Sequence, residues 1–297
     1  MTAYLKAMRL GRWPRSAAIF VGSAAYFFLN RAALAAFTAK GLVFRMALSF
    51  LLTWAISTAN YILNEIVDAP YDIHHPSKRF RPLASGRIQI LPFAGLGVLF
   101  TLSGLIPAWL IFSRPFFLSL LSLLAAGFIY NVKPVRTKDI PFLDAVSESA
   151  NNPIRFLIGW YACAPAVLFP PLSLLFSWWA FGNFLMVAKR LSEFRLLKEK
   201  AQEYRISHKV YSIRSLLAGM AASAGFFFLA YFYFAIRHGL RTFLFVSPFL
   251  LIYFGFLFRK TLKEKEVMEE PELLLKRPLF AVYTLALLLL FLLLFFL

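Results

Sequence analysis

Charge is scarce in this chain, and acid is scarcer than base: charged residues fill 15% of the 297 positions, with 14 Asp and Glu against 32 Lys and Arg. Soluble domains carry about a quarter of their residues as charges, so this composition excludes one. Cysteine occurs once, at Cys163. A lone thiol excludes an internal disulfide framework and any cysteine metal site. Alternating apolar and polar runs are missing too, which excludes the strands of roughly 10 residues that build membrane barrels.

What the chain does have is apolar length. Hydrophobic residues reach 60%, Phe alone numbers 35, and the mean hydropathy is +0.69. A spanning helix needs about 20 apolar residues. Windows of that size fall at 16–37, 43–63, 89–112, 115–131, 143–164, 165–187, 215–236, 242–258 and 278–297, the fourth and eighth being short. These windows predict an all-α integral membrane protein, a bundle of about nine transmembrane helices forming one domain over residues 1–297. Lys6, Arg9, Arg12 and Arg15 precede the first run, which is long enough to be a retained helix rather than a cleaved signal.

Of the 32 basic residues, 25 lie in the N-terminal tail or in the loops and helix ends that follow even-numbered spans. The positive-inside rule then places the N-terminus and those loops in the cytosol, in a multi-pass cytoplasmic membrane protein. The net charge of +18 is read as topology rather than as a nucleic-acid surface. All 14 carboxylates fall in the same loops or at the helix ends beside them. A carboxylate-based cavity is therefore expected to face the cytosol.

The segment from Asn60 to Gly86 carries the densest polar chemistry. Asn60, Asn64 and Asp68 are spaced four apart and share a helical face, while Pro70 predicts a helix end or kink near Ala69 with Asp72 returning from a turn. Oxygen ligands of this kind suit Mg2+, which takes one or two carboxylates together with substrate phosphates. Lys78, Arg79 and Arg81 follow at once and favour a clamp for a diphosphate. His74 and His75 lack a third imidazole or thiol at ligand spacing, which argues against zinc.

A second constellation places Asp144, Glu148, Asn151 and Arg155 at intervals of 4, 3 and 4 on one face of the fifth span, behind a cationic lip of Lys133, Arg136 and Lys138. The same stripe also reads as a buried structural ion pair. A third puts Lys189, Arg190 and Glu193 at the cytosolic end of span six. The mixed charges of 259–277 read as a solvated surface helix. Spans two and six both end in a polar motif before a basic loop, a weak sign of two four-helix halves plus a ninth helix.

These residues resemble the UbiA superfamily of intramembrane prenyltransferases, nine-helix bundles with an Asn-Asp-x-x-Asp-x-x-x-Asp motif after the second helix. Here the motif reads Asn64-Glu65-x-x-Asp68-x-x-x-Asp72, with Glu65 replacing an Asp, and continues as Arg81-Pro82-Leu83-Ala84-Ser85-Gly86. The resemblance implies Mg2+ held by Asn64, Asp68 and Asp72, a departing diphosphate, and an opening for lipid chains. Asp68, Asp72 and Asp144 are the expected catalytic groups. Lys78, Arg81, Lys133, Arg136, Lys138, Asn151, Arg155, Lys189, Arg190 and Glu193 are expected to bind substrate.

Typical members carry a second Asp-rich motif after the sixth helix, where this chain has Lys189-Arg190-x-x-Glu193. That feature resembles the branch containing decaprenyl-phosphate phosphoribosyltransferase. Superfamily membership puts Mg2+-dependent transfer of a polyprenyl group from its diphosphate first, with attack of a lipid phosphate on phosphoribosyl diphosphate as the alternative. A transporter is a third, more distant alternative, disfavoured because the polar motifs cluster at one surface rather than at the midplane.

Overall fold

The computed structural model describes residues 2–73, 78–197, 206–263 and 277–296. His74, His75 and most of the 259–277 segment lie outside them. The described chain forms eleven α-helices: α1 Thr2–Ala7, α2 Ile19–Leu29, α3 Ala39–Asp72, α4 Ile90–Ile111, α5 Arg114–Asn131, α6 Leu143–Ser149, α7 Asn151–Cys163, α8 Leu172–Leu197, α9 Ile213–Arg237, α10 Ser247–Lys263 and α11 Pro278–Phe296. Six described stretches are long and apolar enough to cross a membrane: α3, α4, α5, Leu172–Arg195 of α8, α9, and Arg241–Lys263 ending in α10. The windows at 16–37 and 143–164 hold shorter helices, and within 278–297 the stretch Pro278–Phe291 is a shorter apolar helix.

Local signals set the helix boundaries. Thr38 caps α3, its hydroxyl accepting the Gly41 N–H at 3.2 Å, and Ser212 and Ser215 cap α9 reciprocally. Within the spans, hydroxyls turn back on their own helix: Thr53, Ser119, Ser223 and Thr261 each donate to the carbonyl four residues earlier at 2.7–2.8 Å. This satisfies polar groups where no water is available. Leu91, Leu99, Leu102, Ile106 and Leu110 of α4 are exposed, as a lipid-facing surface requires.

Two expectations about helix ends are corrected. α3 does not stop at Ala69 but runs through Pro70 to Asp72. Pro70 deletes the bond to the Ile66 carbonyl only in the last turn, too late to redirect the chain. Span five is not one helix: α6 and α7 separate at Ala150. Pro153 has no N–H for the Ser149 carbonyl, so the ladder that would join them is interrupted, while Pro in the first turn of α7 is tolerated.

The helices form two compact units, Met1–Thr137 with Asn151–Pro170, and Lys138–Ala150 with Pro171–Leu297. The two units divide the fifth span between them, α6 belonging to the second and α7 to the first. In the first unit Ile62, Leu83, Ile88 and Phe93 pack with Ala7 and Met8 of the N-terminal segment. There α2 and α7 pass so closely that a Cβ on Gly159 would lie 1.7 Å from the Ile19 carbonyl oxygen. In the second unit Phe184, Val187, Leu191, Met220, Phe254 and Phe280 form the core.

Candidate active site

The first unit carries the motif at the C-terminal end of α3. Asn60 belongs to packing rather than to the site: its amide donates to the Leu123 carbonyl at 2.8 Å, against Gly127, where any Cβ would collide with it. Asn64, one turn on, is half-buried, as is Asp68. Arg136 Nη2 lies 3.7 Å from Asp68 Oδ1, its guanidinium 4.8 Å from the Tyr71 ring centroid. Asp72 is buried and accepts from Arg81 Nη1 at 2.5 Å. Because α3 continues through Pro70, Asn64, Asp68 and Asp72 form a line at four-residue intervals along one helix.

These donors fit Mg2+. All three are hard oxygen or amide-oxygen ligands, two are carboxylates, and each carboxylate already faces a cation that a metal would replace or supplement. Among the described residues no three His, Cys, Asp or Glu side chains form a ready cage. That suits an ion sharing its shell with substrate phosphates rather than one enclosed by protein.

Glu65, the replaced motif position, faces elsewhere. It is buried, and Arg9 Nη2 donates to its Oε2 at 2.7 Å. Lys78 is half-buried and Lys133 exposed; Asn151 and Arg155 are half-buried in the first two turns of α7, with Arg155 Nε lacking a hydrogen-bond partner. The sequence marks Arg9 only as one of the cations of the N-terminal tail, not as the partner of Glu65. The signal for that pairing is a carboxylate in an apolar helix, which needs a cation from somewhere.

The second unit holds a closed network. Arg190 has no exposed surface and reaches three carboxylates: Nε to Asp144 Oδ2 at 2.7 Å, Nη2 to Glu148 Oε2 at 2.5 Å and Nη1 to Glu193 Oε2 at 3.3 Å. Lys189 Nζ bonds the other Glu148 oxygen at 3.0 Å. Asp144 also accepts from the Ala145 N–H, the Ser207 hydroxyl and the Tyr211 hydroxyl. Burial raises the Tyr211 phenol above its ordinary pKa, and the neighbouring Asp144 charge and hydrogen bond add to the shift. The Tyr211 oxygen in turn accepts the Phe142 N–H at 2.8 Å, holding Phe142 at φ 63 just before α6.

His208 is fully buried with Nε2 3.4 Å from Glu193 Oε2, outside hydrogen-bond alignment, and stacks on Phe194. Lys138 is buried in this unit. The stripe expected along span five is thus divided: Asp144 and Glu148 belong to the second unit's network, Asn151 and Arg155 to the first unit. Ser207 and Tyr211, which complete the Asp144 shell, were not anticipated, because a serine and a tyrosine in a basic loop carry no periodic signal.

Comparison with known proteins places this geometry in a family. The chain is 30% identical over 182 residues to nodulation protein NoeC of Azorhizobium caulinodans, covering 59% of this chain and 57% of that protein. It is 24% identical over 170 residues to the decaprenyl-phosphate phosphoribosyltransferase of Mycolicibacterium smegmatis, covering 57% and 51%. The matched segments thus span about half the length of these relatives. Among solved structures, a UbiA homolog from Archaeoglobus fulgidus bound to GPP and Mg2+ superposes with a TM-score of 0.67 at 17% identity, over 96% of this chain and 99% of that one. The same homolog bound to DMAPP and Mg2+ gives 0.66. With the family model for UbiA prenyltransferases matching residues 24–276, the chain belongs to the UbiA prenyltransferase family.

Proposed function

We propose that this chain is a phosphoribosyltransferase of the membrane, moving the phosphoribosyl group of phosphoribosyl diphosphate onto a polyprenyl phosphate with release of diphosphate. The observation that carries this reading is the engagement of Asp144, Glu148 and Glu193 by one buried Arg190. Carboxylates so neutralised are poor metal ligands, and only the half-buried Lys189–Glu148 edge of the network has surface left to offer polar groups. A ribosyl donor brings hydroxyls and an additional phosphate for such groups to hold; a prenyl chain brings none. The relative named as a phosphoribosyltransferase supports the same reading, which reverses the order that superfamily membership alone suggests.

In the transfer, the bond between the anomeric carbon and the diphosphate oxygen breaks, its electron pair leaves with the diphosphate, and an oxygen of the lipid phosphate bonds to that carbon. Asn64, Asp68 and Asp72 would hold Mg2+, which when bound neutralises charge on the departing group. Arg81 and Arg136 keep the two aspartates in place and add fixed cations beside them. Lys78, Lys133 and Lys138 extend the cationic loops, and Asn151 and Arg155 add polar groups at the start of α7. Asp144, saturated with donors, is a positioning residue that holds Arg190 and Tyr211, and Lys189 with Glu148 is the half-buried rim of that network. The domain runs over residues 1–297, with the N-terminus and polar loops on the cytosolic side of the cytoplasmic membrane.

Prenyl transfer is the second reading, favoured by the likeness to structures bound to GPP or DMAPP with Mg2+. Family membership gives the transporter alternative no support. Membranes containing the chain, incubated with polyprenyl phosphate and phosphoribosyl diphosphate or with polyprenyl diphosphate and membrane lipids, separate the two by mass analysis. A phosphoribosylated polyprenyl phosphate is expected. A prenylated product formed in its absence would overturn the proposal.

A further inference from the structure

Several arginines of this fold are matched to an acceptor inside the protein. Arg9, Arg81 and Arg136 lie 2.5–3.7 Å from Glu65, Asp72 and Asp68, and Arg190 engages three carboxylates. Arg45, inside α3, donates from Nε to the Ala162 carbonyl at 2.9 Å, with its guanidinium 5.2 Å from the Phe112 ring centroid. Arg155 has neither arrangement. It is half-buried, its Nε is buried without a hydrogen-bond partner, and among the described residues no carboxylate pairs with it. The ionisable groups that act on it are the Tyr61 phenol of α3 and a second cation, Arg15, with no carboxylate among them. A guanidinium cannot shed its charge, so an unpaired one in an apolar helix is costly unless a ligand supplies the anion.

Depth in the bundle says which anion. The carboxylate line occupies the C-terminal end of α3, and Tyr61 lies three residues before Asn64, about 4.5 Å farther from that end and about 16 Å from Asp72 along the axis. Arg155, beside Tyr61, therefore stands on the membrane-interior side of the line. It is the one charged residue of α7, and beyond it Phe156, Ile158 and Trp160 are buried apolar residues. Asn151, one turn earlier, shares its helical face toward the start of α7.

We infer that Arg155 receives the phosphate head group of the lipid acceptor and holds it on the membrane side of the donor's diphosphate. A phosphate carried on a polyprenyl chain reaches this depth from the bilayer, whereas the diphosphate of a water-soluble donor belongs at the carboxylate line. That order puts the attacking oxygen and the leaving diphosphate on opposite sides of the anomeric carbon. A guanidinium fork takes two oxygens of a phosphate monoester and leaves the third to attack. The inference rests on the proposed transfer for the identity of the phosphate, and on the unpaired guanidinium for the presence of an anion site.

The test measures binding of farnesyl phosphate, farnesol and Mg-pyrophosphate to the full chain in nanodiscs. Wild type is expected to bind farnesyl phosphate and Mg-pyrophosphate together. Arg155→Gln should weaken farnesyl phosphate about tenfold or more, the scale of a lost charge-assisted hydrogen bond, while farnesol and Mg-pyrophosphate change less than about twofold. Arg155→Lys, which keeps the charge, should regain part of that affinity. Because no partner is left behind, ligand-free Arg155→Gln should unfold at no lower temperature than wild type. No farnesyl phosphate binding by the wild type, an unchanged affinity in Arg155→Gln, an equal loss of Mg-pyrophosphate, or displacement of one ligand by the other overturns the site. An Arg155→Gln chain that unfolds well below wild type makes the residue structural and overturns it as well. If farnesyl phosphate binding depends on Arg155 yet no phosphoribosylated lipid forms, the site stands and the transfer falls. If that lipid forms as fast in Arg155→Gln as in wild type, the transfer stands and the site falls.

Discussion

Asp68 and Asp144 are both aspartates near an arginine, yet their surroundings set them to opposite tasks. Asp68 is half-buried, with the Arg136 guanidinium 3.7 Å away. Asp144 has no exposed surface and accepts from Arg190 at 2.7 Å as well as from two hydroxyls and a backbone N–H. A carboxylate with part of its surface open can exchange a partner for metal or substrate; a fully buried one saturated by donors can only hold its neighbours still. The difference lies in burial and not in the residue type.

The strongest way to break that comparison is Asp68→Ala. It should lower product formation by more than about 1,000-fold, roughly 4 kcal/mol of transition-state stabilisation, with an unchanged unfolding temperature. Removal of divalent ions with EDTA should abolish the same activity, and Mg2+ should restore it. If activity survives in Asp68→Ala, the open centre is not the reactive one.

Arg190→Met attacks the closed centre. Leaving three carboxylates without their buried cation should cost about 3–5 kcal/mol, seen as a large fall in unfolding temperature of the detergent-solubilised chain. A variant that folds as well as wild type but loses catalysis would make the closed network reactive and erase the contrast.

Tyr211→Phe removes one hydrogen bond to the Asp144 carboxylate and should cost about 1.5–3 kcal/mol by the same measurement. Its pH dependence sharpens the point. With the folded pKa of Tyr211 raised, the unfolded chain releases this proton first, so stability is complete below about pH 10 and declines as pH rises beyond it. The decline should be shallower in Tyr211→Phe. Asn60→Ala is expected to have the smallest effect, about 1 kcal/mol of stability from the lost bond to the Leu123 carbonyl, with unchanged activity.

Much of this was legible in the chain. The shared face of Asn64 and Asp68 is legible in their spacing because a helix fixes which of its own residues share a face, whereas Asp72, expected in a turn, continues the same helix. The long apolar windows and the asymmetric Lys and Arg counts likewise required no tertiary knowledge. The Ala150 break was harder to see: Pro153 pointed to it, but the 4, 3, 4 spacing across Asp144, Glu148, Asn151 and Arg155 reads equally well as one continuous stripe. Pro70 follows a related rule, since a proline two residues from a helix end removes one bond and the last residues still complete the helix.

The sequence by itself determined that the chain is helical, membrane-embedded and equipped with oxygen ligands beside cations, because hydropathy and helical period act on neighbours within one segment. Only the tertiary structure decided which cation meets which acid. Arg9 finds Glu65 across 56 positions and Arg190 finds Asp144 across 46, and nothing in either local pattern names its partner. Pairings at that range follow from how helices pack around a buried charge, which must be neutralised by whatever the fold brings alongside it.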